Sequence, residues 1–209
     1  MQTNWASLDR GARPTDTSDS GSEGGEEPED GKGSEVNLLD EETEETNWRA
    51  DGTVEGQQVT VDMGGGSHLV DRGNVSAFLR PVDEGDQFGD TDTQSRFSAL
   101  RGFEILTCKA TESNNCEDPD QGFREVTQRA AAFDAGVPRP LAPQLNFQSF
   151  EVDDTNATHV QLRVINNQCT GTPEYQGEQD ADPANNTDCD DNSEEGEIER
   201  AAELEVFSR

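Results

Sequence analysis

The sequence predicts an all-β protein built as an antiparallel sandwich. Short stretches in which apolar and polar residues alternate recur from residue 35 onward, and clusters of Gly, Pro, Asn and Asp separate them. Alternation with a period of two is typical of strands that bury one face. Several such strands with almost no helical pattern favour two packed antiparallel sheets.

Seven segments carry the strand pattern. In the first, Val59 and Val61 share one face, and in the last, Leu204 and Val206 alternate with glutamates. The segments are Gln57–Met63, Asn74–Leu79, Phe97–Cys108, Phe123–Thr127, Leu145–Val152, Thr158–Ile165 and Glu203–Phe207. Residues 125–133 alone are compatible with a short helical turn, and the prolines between 138 and 143 predict an extended crossing between strands.

The N-terminal region has a different composition. Residues 11–34 contain one hydrophobic residue, Ala12, so they are predicted to form a flexible acidic linker. We therefore divide the chain into a linker or fragment remnant at 1–34 and a sandwich domain at 35–209. Residues 1–8 lack the basic and apolar regions of a signal peptide. We expect the chain to be a fragment, or its export signal to lie outside it.

The net charge excludes two classes of partner. The chain has 46 Asp and Glu against 15 Lys and Arg, a formal net charge of −31. Phosphate backbones and anionic membrane surfaces would be repelled, which argues against nucleic-acid binding and peripheral membrane binding. No apolar run is long enough to span a bilayer.

The acidity extends through the whole chain and is not confined to a tail. Only Lys32 and Lys109 are lysines, and acids are spread over every segment. A lysine-poor acidic surface over an ordinary strand pattern predicts a halophilic protein, because molar salt reduces the Debye length to roughly 3 Å and screens self-repulsion. An acidic interaction tail is the alternative, which the even spread of acids disfavours.

The four cysteines predict an oxidising compartment. Three pairings are possible, and the spacing favours Cys108 with Cys116 and Cys169 with Cys189. No C-x-x-C spacing points to zinc or redox chemistry. Three N-glycosylation sequons, at Asn74, Asn156 and Asn185, are weakly consistent with an extracellular protein.

The sequence carries no catalytic motif. It has two histidines, His68 and His159, and neither lies in a metal-binding or nucleophile-activating pattern, so structural roles are expected. The run Gly64–Gly66 lacks the Lys and following helix of a phosphate loop and predicts a tight turn. The chain is therefore not expected to be an enzyme.

Two acidic loops are candidate calcium sites. Carboxylates and loop carbonyls are the oxygen ligands that Ca²⁺ prefers. One loop is Leu38–Trp48, and the other lies inside the second cysteine pair, with Asp180, Asp182 and Asp188 as candidate ligands. The second lacks the glycine of an EF-hand loop. For both, a solvated halophilic surface is the alternative interpretation.

Two segments near the C-terminus resemble the C-terminal half of discoidin-type domains (coagulation factor 5/8 type C, galactose-binding-like). The matching segments are THVQLRVINNQCTGTPEYQGEQDADPANNTDC at 158–189 and RAAELEVF at 200–207. The loop at 38–48, the strand QQVTVDM and the crossing RPLAP also fit, so the resemblance covers roughly 35–209. The cysteine-bounded loop is similar to that of domains appended to secreted fungalysin-like metallopeptidases.

The resemblance implies a jelly-roll sandwich of about eight strands with both termini at one end. It also implies a calcium ion held by the acidic loop and the last strand, here by Asp40 or a neighbour such as Glu42, with Thr46 and Glu203. The family's usual Asp-Gly turn is replaced by an acidic run, which leaves the side-chain ligand open. Tyr175 is the single tyrosine and the candidate for stacking on a sugar, whereas Trp48 is expected in the core.

The resemblance, taken with the cysteines and the acidic composition, predicts a non-catalytic, secreted, halophilic binding module. Its expected partner is a glycan or cell-surface component, and it would tether a larger exoprotein such as a covalently linked peptidase domain. The alternative is a structural accessory domain that only stabilises its parent enzyme.

Overall fold

The computed structural model describes residues 3–18, 34–43, 46–78, 97–134, 147–172, 189 and 197–208. Within these ranges the chain forms strands, one helical turn α1 and two 3₁₀ turns at Leu8–Arg10 and Glu35–Leu39. The strands are β1 Arg13–Thr17, β2 Trp48–Asp51, β3 Gln58–Asp62, β4 His68–Ala77, β5 Leu100–Cys108, β6 Arg124–Arg129, β7 Gln148–Ala157, β8 His159–Asn167 and β9 Ile198–Phe207, and α1 is Gln168–Gly171. No helix in these ranges is long and apolar enough to cross a membrane.

The strands form two antiparallel sheets. One has the order β1-β3-β8-β5-β6 and the other the order β2-β9-β4-β7. All the strand pairs are antiparallel, and the inward faces enclose one large apolar cluster. The predicted all-β jelly-roll sandwich is confirmed.

Aromatic side chains fill the centre of the core. Phe103 of β5 packs against Phe133 and against Phe150 of β7, with ring centroids 6.2 Å and 6.1 Å apart. Trp48 and Leu204 are fully buried in the same cluster, as the sequence predicted for Trp48. Burial of such side chains is the main favourable term for a chain with so few apolar residues.

The N-terminal segment does not follow the linker prediction at residues 11–18. Ala12 is fully buried, and β1 pairs with the edge of β3, Arg13 opposite Asp62 and Thr17 opposite Val59. Backbone hydrogen bonds to an open sheet edge supply the stabilisation that composition cannot, so a polar segment can still form a strand. Residues 19–33 of the predicted linker lie outside the described residues.

The other predicted strand segments do form strands, but their first and last residues differ from the predicted ones. Strand β2 was missed because its four residues are too short to show alternation. The possible helical turn at 125–133 is wrong for its first half, which is strand β6. The tight glycine turn is confirmed, since Gly64, Gly65 and Gly66 have φ of 66°, 64° and 106°. The proline-rich crossing lies outside the described residues.

Both expected disulfides are present. Cys108 pairs with Cys116 and Cys169 with Cys189, with Cα atoms 6.0 Å and 5.5 Å apart. The first bridge follows β5 at the end of the sandwich where His159 begins β8, and the second follows β8 at the opposite end. The two bridges therefore lie at opposite ends of the sandwich, and each closes a local connection.

Candidate functional site

The candidate site is built around Glu203 in strand β9. Leu204 and Val206 of this strand enter the core, so Glu203 and Glu205 point to the outer face of the four-stranded sheet. Glu203 is nevertheless fully buried. Its Oε2 accepts a hydrogen bond from the backbone N–H of Glu41 at 3.0 Å, and its Oε1 has no partner in the described part of the chain.

The environment of Glu203 disfavours its charged form. Burial, reinforced by the nearby carboxylate of Asp40, raises the pKa of Glu203 to about 10, and the Glu41 N–H only partly opposes this. A carboxyl group with one orphaned oxygen in such a position is costly unless a proton or a cation compensates it.

The acidic loop reaches Glu203 through a strained turn. Glu41 has a φ of 67°, the left-handed conformation that favours glycine. Asp40 Oδ1 caps the turn by accepting the N–H of Glu42 at 2.9 Å. Glu41 therefore adopts a turn conformation in which glycine is usually found, within the acidic run of residues 40–42.

Thr46 lies at the other end of this loop. Its Oγ1 is buried and has no hydrogen-bond partner among the residues described. The neighbouring residue is anchored, because Asn37 Nδ2 donates to the carbonyl of Asn47 at 2.8 Å. The loop end and strand β9 therefore each carry one buried oxygen without a partner among the described residues, that of Thr46 and that of Glu203.

A repeated tripeptide frames the site. Thr-Asn-Trp occurs at residues 3–5 and 46–48. Trp48 pairs with Ala201, while Asn4 forms a bridge with Phe207, and both lie on the edge of β9 that faces away from β4. Glu203 lies in the interval between the two tripeptides. The sequence showed the repeat but gave no reason to connect it with a site.

The site opens into a cleft on the outer face of the sheet. Its volume is about 800 Å³. The walls are the N-terminal arm (residues 3–10) and the acidic loop at 41–43, with Glu203, Glu205, Phe147 and Phe207 among the side chains that line it. We call this the β9 cleft.

The arrangement fits a hard cation only in part. Among the described residues, no three His, Cys, Asp or Glu side chains are grouped closely enough to form a metal site. The orphaned oxygens of Glu203 and Thr46, with Asp40 nearby, are the chemistry that Ca²⁺ prefers. Glu42 is exposed and contributes its N–H to the turn.

Several predicted site residues cannot be placed beside this cleft. Asp180, Asp182, Asp188, Tyr175 and Asn185 lie outside the described residues. The second calcium loop and the sugar-stacking tyrosine therefore stay predictions.

The two described sequons differ in accessibility. Asn74 is in strand β4, and its Nδ2 donates to Glu205 Oε2. The nitrogen that a glycan would modify is thus engaged on the sheet face. Asn156 is exposed on β7, the edge strand of the four-stranded sheet. Of these two, the geometry favours Asn156 as the acceptor.

Both histidines make local structural contacts. The ring of His68 stacks on Trp5 with centroids 4.0 Å apart, and its Nε2 lies 2.6 Å from the Gly64 carbonyl. His159 Nδ1 lies 2.8 Å from Thr158 Oγ1, and burial lowers the pKa of His159. These contacts agree with the structural roles expected from the sequence.

A second buried carboxyl group was not predicted. Glu199 of β9 is fully buried, lies opposite Ala50 of β2, and neither carboxyl oxygen makes a hydrogen bond of normal geometry within the described residues. Burial raises its pKa well above the usual range, and Arg200 opposes this less strongly. Ser76 and Ala77 of β4 lie opposite Glu203 and Ala201, so the pairing of the two strands shifts by one residue at this point. Such a shift interrupts the regular alternation of inward and outward side chains along β9. Alternation alone therefore could not predict that Glu199 faces inward.

Comparison with known proteins identifies the fold. No protein-family model matches the sequence, and no curated protein matches it. Solved structures do match. CpGH89CBM32-5 from Clostridium perfringens, in complex with GalNAc-β-1,3-galactose, is 15% identical with a TM-score of 0.52, covering 99% of this chain and 100% of that one.

Two further structures match over almost the whole chain. The family 32 carbohydrate-binding module of Streptococcus pneumoniae EndoD is 11% identical, with a TM-score of 0.52 and coverage of 99% and 100%. Chitosan-binding module 1 of a chitosanase/glucanase from Paenibacillus sp. IK-5 is 12% identical, with a TM-score of 0.52 and coverage of 99% in each direction. The chain therefore has the galactose-binding-like fold of family 32 carbohydrate-binding modules. The discoidin-like resemblance is confirmed at the level of fold.

Proposed function

We propose that this chain is a non-catalytic carbohydrate-binding module. The observation that carries the proposal is the match, over 99% of the chain, to structures that are themselves carbohydrate-binding modules. Fold alone does not fix function, so the proposal also rests on the absence of any recognisable catalytic motif in the sequence. Its ligand is a glycan, either free or on a cell surface.

The proposed setting is extracellular and saline. Two disulfides support an oxidising compartment. A net charge of −31 supports a protein that works where salt screens its self-repulsion. In that setting the module would hold a larger exoprotein close to its glycan target. Attachment to a peptidase domain, as the resemblance implies, stays a prediction.

A calcium ion is proposed to stabilise the fold at the acidic loop. Glu203, Asp40 and Thr46 would supply oxygen ligands, with Glu42 as the alternative acid. The ion would cross-link the loop to strand β9 and compensate the buried carboxylate. The orphaned oxygens of Glu203 and Thr46 support this proposal.

Retention on immobilised polysaccharides tests the proposed function. The full chain is passed in molar KCl with calcium over chitin, galactan and cellulose, and the same chain with reduced and alkylated cysteines serves as the unfolded control. Retention of the native chain on at least one uncharged polysaccharide is expected. A folded chain that is retained on none would support the structural accessory role instead.

A further inference from the structure

The β9 cleft lies beside the N-terminal arm and the last residues of strand β9. It is lined by Thr3, Asn4 and Phe207, close to the described ends of the chain. A separate depression of about 560 Å³, lined by Glu55, Thr170 and other residues, lies at the opposite end. The β9 cleft is larger, at about 800 Å³, and within the ~300–1,000 Å³ typical of small-molecule sites.

One wall of the cleft is aromatic. Phe147, immediately before β7, is 43% exposed, the most exposed of the large hydrophobic side chains in the described ranges. Phe207 also lines the cleft, and the guanidinium of Arg72 lies 4.9 Å from its ring centroid, which fixes the ring. An exposed aromatic side chain beside oriented polar groups is the usual composition of a ligand site.

The opposite wall offers a hydrogen-bond donor of known orientation. Asn4 Oδ1 accepts the backbone N–H groups of Ala6 at 3.1 Å and Val206 at 2.9 Å. These two bonds identify the amide oxygen, so the other amide atom is the NH₂ donor. That Nδ2 is buried and has no partner within the described part of the chain.

An acceptor is held on the floor of the cleft. Ser149 donates to Asn74 Oδ1 at 2.7 Å, and Asn74 Nδ2 donates to Glu205 Oε2. This chain of hydrogen bonds across β7, β4 and β9 fixes the carboxylate of Glu205, which is only half-buried. A cation could bind the carboxylate of Glu205 but could not bind the NH₂ group of Asn4, which is a hydrogen-bond donor. Ligand hydroxyl groups can bind both, because a hydroxyl group accepts a hydrogen bond from Asn4 Nδ2 and donates one to Glu205.

The charge of the cleft selects among sugars. Its lining includes four acids, Asp9, Glu41, Glu203 and Glu205, against one base, Arg10. With Glu203 protonated, or with one divalent cation bound, the lining stays net negative. Carboxylated or sulfated sugars would be repelled, whereas an uncharged pyranose would not.

We propose that the β9 cleft binds an uncharged sugar residue. The apolar face of the ring contacts Phe147, and ring hydroxyl groups accept from Asn4 Nδ2 and donate to Glu205. The inference rests on the proposed function, since it names where on the module a glycan binds and which charge class it accepts.

The test combines affinity with mapping. ¹⁵N-labelled full chain in molar KCl with calcium is titrated with GalNAc-β-1,3-galactose, with N-acetylglucosamine trisaccharide and with trigalacturonate. Backbone amide shifts are expected at residues 4, 147 and 205 with an uncharged probe and not with the uronate. Phe147→Ala should weaken sugar binding about tenfold, and Glu205→Gln should weaken it at least about threefold. Losses of this size are typical when a residue at the centre of a binding site is replaced.

The control is Leu69→Ala, because Leu69 is a comparably exposed apolar side chain, at 38%, that does not line the cleft. It should change affinity less than about twofold. Binding that shifts only residues 52–55 and 168–172, and that Phe147→Ala leaves unchanged, would overturn the site but not the function. Equal affinity for the uronate would also overturn it. No binding of either uncharged probe would overturn the site, whereas the proposed function would be overturned only if the folded chain also bound nothing on a broad glycan array.

Discussion

Glu41 donates its backbone N–H to the buried carboxyl group of Glu203 at 3.0 Å, across 162 positions of sequence. This bond joins the acidic loop to the last strand of the sandwich, and it leaves the other oxygen of Glu203 without a partner among the described residues. The acidic loop and strand β9 are therefore positioned so that a cation could bridge them.

Calcium is expected to stabilise the fold through Glu203. In molar KCl, the melting temperature with saturating calcium should be about 5–10 °C higher than the melting temperature with EDTA. A shift of this size is expected for a domain of this length when the free calcium concentration is about 100 times the dissociation constant. Glu203→Gln should abolish the rise, because a neutral amide does not compensate the ion. The raised pKa of Glu203 also implies that binding releases protons at neutral pH.

Calorimetric scans of both forms, with and without calcium, make this measurement. Glu205→Gln is the matched control, since it removes a neighbouring carboxylate on the same face of β9. An equal calcium shift in Glu203→Gln would show that the ion binds elsewhere.

The left-handed turn at Glu41 is expected to cost stability. Glu41→Gly should raise the free energy of unfolding by about 0.5–1 kcal/mol, because relief of the φ of 67° outweighs the added chain entropy. Glu42→Gly, next in sequence and without a positive φ, should instead be neutral or destabilising. Urea unfolding of the two variants compares them, and a loss of stability in Glu41→Gly would contradict the turn geometry.

Glu199 is expected to make stability depend on pH. Its pKa is raised in the folded state, so its contribution to stability is present below the unfolded value of about 4.5 and is lost as pH rises toward the folded value. Glu199→Gln removes this dependence. The advantage of the variant should therefore grow from pH 5 to pH 8, by up to about 1.4 kcal/mol per pH unit.

Chemical unfolding at several pH values, with calcium held constant, tests the Glu199 prediction. The exposed Glu55→Gln, at the same end of the sandwich, controls for removal of one negative charge. Parallel pH profiles for the original chain and Glu199→Gln would mean that Glu199 does not carry the effect.

Removing salt is expected to weaken the fold. With 46 acids against 15 bases, repulsion in the folded state exceeds that in the expanded chain once screening is lost. The melting temperature should fall steadily as KCl is lowered from molar to millimolar. Unchanged thermal unfolding over that range would exclude halophilic adaptation.

The sandwich was predictable because alternation reports directly on burial. Strands β3, β8 and the end of β9 repeat apolar residues with period two, and the local cysteine spacing favoured the pairs that form. Strand β1 was not predictable, since its pairing comes from the exposed edge of β3 and not from its own polar residues.

The site was predictable only in outline. The resemblance placed Glu203 and Asp40 together, and the structure brings the loop of Asp40 onto Glu203. The role of Asn4 depends on a contact with the last strand, more than 200 positions away, for which composition gives no signal. Glu199 was missed because a register shift in β9 interrupts alternation.

Direct titration with a glycan tests the central claim, that this sandwich is a carbohydrate-binding module. Isothermal titration of the native chain with GalNAc-β-1,3-galactose and N-acetylglucosamine trisaccharide, in molar KCl with calcium, should give saturable binding of at least one, with a dissociation constant in the range of about 1 μM to 1 mM. The claim would be contradicted if both titrations gave only the heat of dilution and a broad glycan array also showed no binding. Circular dichroism must show that the chain used in these experiments is folded.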